Sequence, residues 1–394
     1  MSSAQPISRK NKHIQSSEDD ALERTRRPLD RARHAPGYIY SSPEVFALEK
    51  ERIFMKDWLL VARSEDLKKP GNYMTFRVMG EPVLLVRNED GKVNALSNTC
   101  AHRGVEVASG CGKAKLFHCP YHGWLYDLNG QLKRAQYMET VKNFDFENCR
   151  LPSLRCEEWG GSIFICFSED TPPLDVFLKD LIDEYSFLHP ELCEARKKIV
   201  IQFDCNWKLV VENKIDIYHV NTLHAKTLGA QTDFSKTGFD GENGKLTSNG
   251  GVSMRYPGTT GIPSRKEIFP LMPWMEDIGS EYGSHMRHSP NLHFVGRADG
   301  IRLSSVWPLD VDKTEAWFWY LFPKEWKGDP DYDEKCQLYE DFLVSILTED
   351  SEMIASLQKA TATRSLRPGP MSRLETGIHH VLNDYLDRMF GERG

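Results

Sequence analysis

The stretch Cys100-Ala-His102, followed after sixteen residues by Cys119-Pro-Tyr-His122, carries the most information about this chain. Each half supplies one thiolate and one imidazole, so two short loops present two cysteines and two histidines. Soft thiolates bind iron–sulfur clusters or zinc, and imidazole binds either metal. A glycine follows each pair, Gly104 and Gly123, and Pro120 lies within the second pair; these residues allow a loop to fold tightly around a bound group. The stretch therefore indicates a metal centre.

The order of the four residues distinguishes the two kinds of metal centre. Zinc sites usually pair like with like, as two cysteines followed by two histidines. Here each loop contributes one of each, as in a Rieske [2Fe–2S] centre, where two cysteines bind one iron and two histidines bind the other. We assign Cys100 and Cys119 to the first iron, and His102 and His122 to the second. The alternatives are a zinc site or four unrelated buried residues.

The chain around these loops has the pattern of a β domain. Residues 82–87 and 92–96 are two apolar runs separated by a turn that contains glycine, which predicts a hairpin. Residues 124–132 repeat that pattern, and the apolar run 161–167 ends it. We therefore predict a small antiparallel β domain over residues 55–168.

Length predicts the rest of the organisation. With 394 residues the chain is long enough for two or three domains of ~100–200 residues each. Ser42-Pro43 is a helix start signal, so we expect a polar arm and an N-terminal helix over 1–54. The arm, residues 1–35, has hardly any large apolar residue and is expected to be mobile or loosely docked. Residues 169–394 remain for a catalytic domain.

Composition excludes several classes of protein. The net charge of −7 argues against nucleic-acid binding, because domains that bind nucleic acid are typically basic. No apolar run approaches the roughly 18 residues of a membrane span, and the polar N-terminus does not resemble a signal peptide. The seven cysteines outside the motif have no paired spacing, which predicts reduced thiols and a cytoplasmic protein.

A second constellation lies in residues 206–224. Glu212, Asp216 and His219 stand at i, i+4 and i+7, so they share one face of a predicted helix. His224 lies about 140° away from His219 on an ideal helix. Both histidines can bind one metal only if the helix ends or widens between them. The alternative is a pair of surface histidines.

The two constellations together indicate an oxygenase. Two histidines and one carboxylate, with open coordination positions, form the facial triad of non-haem Fe(II) oxygenases. Such an iron needs electrons one at a time, and a Rieske centre can supply them. The carboxylate is expected late in the chain, where Glu349 and Asp350 lie on an amphipathic helical stretch. The alternative is an acidic pair at a helix N-terminus, where the helix dipole favours it.

From about residue 38 onward the chain resembles the Rieske non-haem iron oxygenases, specifically the large (alpha) subunit of the ring-hydroxylating dioxygenase family. The resemblance rests on Cys100-x-His102-Arg103-Gly104, Cys119-Pro120-x-His122-Gly123-Trp124, Asn206-Trp207-Lys208, Glu212-Asn213 and Asp216-x-Tyr218-His219-x4-His224. It implies an α+β protein with an N-terminal all-β Rieske domain, followed by a helix-grip catalytic domain with an antiparallel sheet.

The resemblance also implies roles for individual residues. His219, His224 and Asp350 would bind the mononuclear iron, and Asp350 is chosen over Glu349 because the family uses the second residue of its acidic pair. Asp216 matches the carboxylate that hydrogen-bonds a cluster-binding histidine of the neighbouring subunit. A homotrimer, or a hexamer with small beta subunits, is therefore expected. Ile215 stands where the family commonly has glycine, which puts the local helix geometry in doubt.

The expected activity is the insertion of oxygen from O2 into a small organic substrate. Electrons would come from NAD(P)H through a partner reductase, directly or through a ferredoxin, because the chain lacks a G-x-G-x-x-G after a strand. An aromatic or aromatic-acid substrate is the first expectation. The alternative within the family is a monooxygenase or demethylase that acts on a methoxy or quaternary-amine substrate.

Two further points stay open in the sequence. A Rieske-type electron-transfer protein would need only the β domain, so the second half of the chain argues against that function. Substrate-binding residues carry no motif. Four basic residues are candidates for binding a substrate carboxylate, and the alternative for each is a solvated charge or a satisfied polar residue: Lys226, Arg265, His293 and Arg302.

Overall fold

The structure is a computed structural model that describes residues 20–228, 244–248, 250–255, 262, 268–280 and 282–391. Within these ranges no helix has both the length and the apolar character that crossing a membrane requires.

The first half of the chain forms two antiparallel sheets. Its strands are β1 (Leu59–Arg63), β2 (Asn72–Val78), β3 (Glu81–Arg87), β4 (Val93–Ser97), β5 (Cys111–Lys113), β6 (Phe117–His118), β7 (Leu125–Tyr126), β8 (Leu132–Arg134), β9 (Ser153–Trp159) and β10 (Ser162–Cys166). Seven of them pair in the order β1-β10-β9-β4-β3-β2-β5, and the other three in the order β6-β7-β8. The predicted hairpin is β3 and β4, in which Val83 pairs with Ser97.

The loops that carry the cysteines lie over a small apolar core of their own. This core is separate from the large core of the molecule and includes both Cys100 and Cys119, together with Leu84, Phe117 and Tyr126. Because strand residues alternate between the two faces of a sheet, β3 contributes Val83 and Leu85 to the large core and Leu84 to the small one. The β domain therefore links both cores.

The second half of the chain contains one large antiparallel sheet. Its strands are β11 (Cys193–Ala195), β12 (Ile199–Phe203), β13 (Gly244–Thr247), β14 (Gly251–Arg255), β15 (Gly283–His288), β16 (Leu292–Arg297), β17 (Gly300–Asp310) and β18 (Lys313–Pro323). The order is β11-β18-β17-β16-β15-β14-β13, and β12 also pairs with β18. With the β domain before it, this sheet confirms the predicted α+β fold class.

The helices of the described residues cover this sheet and connect it to the β domain. They are α1 (Tyr38–Ser41), α2 (Pro43–Glu49), α3 (Leu174–Phe177), α4 (Lys179–Tyr185), α5 (Trp207–Ile215), α6 (Val220–Leu223), α7 (Tyr332–Thr361) and α8 (Thr376–Phe390). Helix α5 contacts α7, α8 and strands β17 and β18. Ser42 caps α2 as predicted, since its Oγ accepts a hydrogen bond from Val45 N–H.

The prediction of a loosely docked arm is wrong for residues 20–35. Thr25 and Ala32 are fully or almost fully buried, and Arg26 forms an ion pair with Asp387 of α8. Arg26 also donates a hydrogen bond of 2.8 Å to the carbonyl of Gly391. Two leucines, Leu22 and Leu29, pack on the large core, so together with the small residues and Arg26 these few apolar side chains are enough to dock the segment. Residues 1–19 lie outside the described part of the chain.

Candidate metal centres and the adjoining cavity

The structure brings the two Cys-x-His and Cys-x-x-His loops together. The Nδ1 atoms of His102 and His122 lie 3.1 Å apart, and the thiols of Cys100 and Cys119 are within hydrogen-bonding distance of each other. Two nitrogen lone pairs thus converge on one point and two sulfurs on another. This is the donor set of a [2Fe–2S] cluster with one Cys-bound and one His-bound iron.

Glycines and backbone N–H groups shape the two loops. Gly104 and Gly123 have φ of +78° and +71°, in the left-handed region that residues with a side chain rarely adopt. The backbone N–H groups of Tyr121 and His122 donate to Cys119. These hydrogen bonds stabilise the thiolate form and tune the potential of a bound cluster.

The two ends of this site differ in exposure. Cys100 and Cys119 are buried, whereas both histidines are exposed. Tyr126 OH lies 3.2 Å from the Sγ of Cys100, and the ring of His102 stacks on Trp124. The sulfur end is therefore sheltered by the protein, and the imidazole end faces outward.

The second site is built where a helix ends. Helix α5 stops at Ile215, and Asp216 has an extended backbone, with φ of −77° and ψ of 109°. The Tyr218 N–H donates to Asp216 Oδ1 at 2.7 Å, which closes a short turn. Helix α6 follows, with His219 immediately before it and His224 immediately after it. The helix thus ends between Glu212 and His219. Asp216 takes an extended conformation there although Ile215, and not the glycine common in the family, precedes it.

His219, His224 and Asp350 converge at this point. One possible ligand atom from each lies within 4.8 Å of the other two. The Asp350 Oδ1 is 2.9 Å from His224 Nε2 and 3.6 Å from His219 Nε2. Two imidazole nitrogens and one carboxylate fit the facial triad of a non-haem iron. Among the described residues this is the one such group of three.

Each histidine is held by a second carboxylate on its far nitrogen. The His219 Nδ1–H donates to Asp216 Oδ2 at 3.0 Å, and the His224 Nδ1–H donates to Glu349 Oε2 at 2.6 Å. Metal-binding histidines usually donate their other N–H in this way, which fixes the tautomer and turns Nε2 toward the metal. The arrangement fits a cation bound between the two Nε2 atoms.

The electrostatics of the site agree with this fit. Burial alone would lower the pKa of His224, but the hydrogen bonds and negative charges of Asp350 and Glu349 outweigh burial and raise the pKa. This group of histidines and carboxylates attracts positive charge, which a divalent cation would supply. Glu349 and Asp350 lie in the middle of the 30-residue α7, so their interpretation as an acidic pair at a helix N-terminus is wrong.

Asp216 borders a wide surface groove as well as the triad. The groove has a volume of about 820 Å³ and is lined by both polar and apolar residues. Tyr218, Met353 and Leu357 line it with about half of each side chain exposed. Within the described part of the chain, no hydrogen bond or ion pair joins the four cluster residues to Asp216.

A separate cavity of about 130 Å³ adjoins the other side of the triad. Its aromatic lining comes from β18 and α7: Phe318, Tyr320, Phe322, Tyr339 and Phe342. The three from β18 are alternate residues, because successive side chains of a strand point to opposite faces of the sheet. Pockets for drug-sized ligands are ~300–1,000 Å³, so this cavity suits a small substrate.

Two of the four basic residues that the sequence offered as carboxylate-binding candidates line this cavity. His293 and Arg302 line the cavity, whereas Lys226 is exposed and Arg265 lies outside the described residues. Lys214 also lines the cavity and was missed. Its position in the sequence could have indicated this. Lys214 stands seven residues after Trp207, on the apolar face of α5, where a side chain is expected to point into the protein. Glu349 was also missed as the partner of His224.

Family models match both halves of the chain. Residues 57–145 match the Rieske [2Fe-2S] domain, and residues 190–391 match the ring hydroxylating alpha subunit (catalytic domain). The first match contains the two Cys/His loops. The second contains the triad and the cavity.

Among curated proteins, the chain is similar to oxygenase subunits that act on quaternary amines. It is 36% identical over 196 residues to the carnitine monooxygenase oxygenase subunit of Acinetobacter pittii (strain PHEA-2), a match that covers 48% of this chain and 52% of the relative. It thus spans about half the length of that relative. It is 28% identical over 403 residues to the glycine betaine monooxygenase oxygenase subunit of Pseudomonas aeruginosa (strain UCBPP-PA14), covering 93% of this chain and 92% of the relative.

Solved structures confirm the fold. A structure of the quaternary ammonium Rieske monooxygenase CntA has a TM-score of 0.77, with 24% identity, over 95% of this chain and 97% of that chain. At this identity the likeness concerns the fold alone. The curated relatives are monooxygenases of carnitine and glycine betaine, so they support the quaternary-amine alternative better than the first expectation of an aromatic substrate.

Proposed function

This chain belongs to the ring hydroxylating alpha-subunit family of Rieske oxygenases, and from that premise we propose that it is the oxygenase component of a monooxygenase for small quaternary-amine substrates. One observation carries the proposal: the cavity beside the triad is small and lined by aromatic rings. Aromatic faces attract quaternary ammonium groups through cation–π interactions. The full-length similarity to a glycine betaine monooxygenase subunit supports the same substrate class.

The two groups of metal-binding residues have different roles in this proposal. When bound, a [2Fe–2S] cluster held by Cys100, Cys119, His102 and His122 supplies single electrons, and an iron held by His219, His224 and Asp350 supplies the activation of O2. Asp216 and Glu349 keep a proton on the Nδ1 of each triad histidine, so both Nε2 atoms stay available for iron. The aromatic residues orient the substrate and exclude water.

The overall reaction balances as a monooxygenation. One atom of O2 is inserted into a C–H bond next to the substrate nitrogen, and the other leaves as water with two electrons and two protons. The electrons come from NAD(P)H through a partner reductase, directly or through a ferredoxin. A hydroxylated N-methyl group breaks down to formaldehyde and a tertiary amine. Hydroxylation of the longer carbon chain next to nitrogen releases trimethylamine instead.

We assign Asp216 as a positioning residue that links two subunits. It holds His219 on one side and borders the large groove on the other, where an exposed histidine of a neighbouring Rieske domain can approach. A carboxylate between two imidazoles is a good hydrogen-bonded bridge. This arrangement requires an oligomer, for which a homotrimer or a hexamer with small beta subunits is our proposal.

Oxygen consumption with defined substrates tests the function. The holoprotein, with a reductase and NADH, is supplied with glycine betaine, carnitine, choline, benzoate or naphthalene, and formaldehyde and trimethylamine are measured. We expect substrate-dependent oxygen uptake with a quaternary amine and with neither aromatic compound. Uptake with an aromatic compound alone would overturn the substrate class. Iron analysis that gives two irons per chain instead of three would favour an electron carrier.

A further inference from the structure

The sheet side of the cavity carries two cations that lack an acidic partner. Lys214 comes from α5 and Arg302 from β17, and both line the cavity beside the triad. In the part of the chain that the structure describes, neither forms an ion pair with a carboxylate. Charged groups inside a protein are normally paired, because taking a charge out of water is unfavourable. Two unpaired cations in one cavity therefore need an explanation.

The polar contacts of the two cations are incomplete. The Lys214 Nζ donates to Ser304 Oγ at 2.8 Å and lies 4.5 Å from the centre of the Phe318 ring. Arg302 faces Tyr320 across the β17–β18 pair and hydrogen-bonds its side chain. The Arg302 Nε is buried and has no hydrogen-bond partner. The contacts present hold the two side chains in place and leave donors free.

A third donor completes the group. His293 on β16 lies directly opposite Ser304 of β17, so it is next to the residue that binds Lys214. Its Nε2 is buried without a hydrogen-bond partner, and the residue is 4% exposed. Buried polar atoms are nearly always hydrogen-bonded in native proteins. In its Nε2–H tautomer His293 is a donor like the Arg302 Nε, and two unpartnered buried donors on one wall of a cavity indicate that an acceptor binds there.

The electrostatics of this wall favour an anionic acceptor. Burial and the positive charge of Arg302 lower the pKa of Lys214 well below its ordinary value, and Asp350 offsets this only in part. Burial lowers the pKa of His293, and neighbouring His285, Lys214 and Arg302 lower it further. The nearby carboxylate of Asp299 is engaged, because Tyr339 OH donates to it at 2.5 Å. A ligand carboxylate would stabilise the protonated form of Lys214 and the charge of Arg302.

We propose that Lys214, Arg302 and His293 form a binding site for the carboxylate of the substrate, so that the substrate class is a small N-methylated amino carboxylate. This inference rests on the proposed function. The carboxylate lies at the sheet wall, and the alkylated nitrogen lies toward the aromatic rings and the triad. Arg302 binds carboxylate with fixed geometry. A neutral or purely cationic amine of the same size is discriminated against, because it leaves the cations unpaired.

Binding measurements on the holoprotein without O2 test this site directly. Calorimetry with glycine betaine, carnitine, choline and benzoate is compared for the wild type, Arg302→Met and Lys214→Met. We expect each substitution to weaken glycine betaine and carnitine binding by about tenfold to a hundredfold, as for the loss of one charged hydrogen bond. Choline, which lacks a carboxylate, should bind to neither variant more weakly than to the wild type, because each substitution only removes a like charge from the cavity.

Two controls separate binding from folding. Arg255→Met and Lys313→Met remove exposed basic residues of the same sheet that lie outside the cavity, and they should bind like the wild type. The midpoint of thermal unfolding of Arg302→Met should stay close to that of the wild type, because the removal of an unpaired, partly buried charge offsets the loss of the hydrogen bond to Tyr320. A midpoint well below that of the wild type would contradict the unpaired state of Arg302.

The outcomes also separate this site from the proposed function. If the wild type oxidises a quaternary amine but Arg302→Met and Lys214→Met bind glycine betaine as tightly as it does, the carboxylate site is overturned and the function stands. If no quaternary amine is oxidised or bound, the proposed function is overturned. The binding of benzoate to the wild type and to Arg302→Met then tests the carboxylate site by itself. Weaker benzoate binding in Arg302→Met then supports the site, and equal or absent binding overturns it.

Discussion

The two candidate metal centres of this chain are assembled in opposite ways. The four residues of the Rieske site lie within 23 positions of one another, on two loops above a small core of their own. The triad joins His219 and His224 to Asp350, which comes from a different helix 126 residues beyond His224. The histidines of the first site are exposed, whereas His224 and Asp350 are buried. One site therefore faces outward, as the proposed electron exchange requires, and the other is largely enclosed, as the proposed substrate oxidation requires.

Each site is specified by a different part of the sequence. A site made of adjacent loops needs only local geometry, here supplied by glycines at positive φ and by backbone N–H groups. A site made of distant helices depends on everything that packs those helices together. The buried Lys208–Glu49 ion pair, with Tyr385 OH on the same carboxylate, connects α5 to α2 and α8. The triad should therefore respond to changes in its surroundings more than the Rieske site does.

The largest effect is expected from removing one member of a site. His224→Ala should lose the mononuclear iron and keep the visible spectrum of the [2Fe–2S] cluster. The rate of substrate oxidation should fall by more than about 100-fold, which exceeds the loss typical for residues that only hydrogen-bond a metal ligand. Cys119→Ser should show the reverse, with the cluster lost. Iron analysis and absorption spectra of the two variants measure this independence. Loss of both groups in either variant would show that the two sites do not fold separately.

The next effect concerns the link between the sites. Asp216→Ala should keep both metals and lose most turnover, by about 100-fold, because His219 loses its positioning partner and the route from the neighbouring subunit loses its bridge. Rapid mixing with reduced protein separates electron transfer from substrate binding. Glu349→Gln, which affects the other histidine, is the matched control. Normal reduction of the mononuclear iron in Asp216→Ala would exclude the proposed route.

A smaller effect tests the buried support of α5. Burial raises the pKa of Glu212 to about 7, although Tyr40 OH donates to it. Between about pH 4.5 and 7 the folded state keeps a proton that the unfolded state has lost, so stability falls as pH rises through this window. Glu212→Gln should remove this loss. The difference in the free energy of unfolding between the variant and the wild type should therefore be about 2 kcal/mol more favourable to the variant at pH 8 than at pH 5. Denaturant unfolding at the two pH values measures the difference.

The smallest effect is expected at the Rieske site. Tyr126→Phe removes the hydroxyl beside the Cys100 Sγ. Hydrogen bonds to cluster sulfurs raise the reduction potential, and one neutral bond contributes about 1 kcal/mol, so the potential should fall by about 40 mV. Spectroelectrochemistry measures the change, and Tyr121→Phe on the exposed side is the control. An unchanged potential would mean that local geometry alone tunes this site.

Much of the molecule could be predicted from the sequence, for reasons that differ between regions. The hairpin of β3 and β4 and the Ser42 cap follow from local patterns, because turns and helix starts depend on a few neighbouring residues. The docked segment 20–35 could not be predicted in this way. Its burial depends on Asp387 and Gly391, which lie more than 350 positions away along the chain.

Residue type and spacing predicted the donor set of the Rieske centre and marked His219, His224, Glu349 and Asp350 as candidates for a second metal centre, and the resemblance to the family then selected Asp350. The tertiary structure then brings Asp350 to both Nε2 atoms, while Glu349 accepts the hydrogen bond from the Nδ1–H of His224. It also decided that Lys214 and Arg302 share one cavity. Helix packing and strand register set these contacts, and neither can be deduced from spacing along the chain.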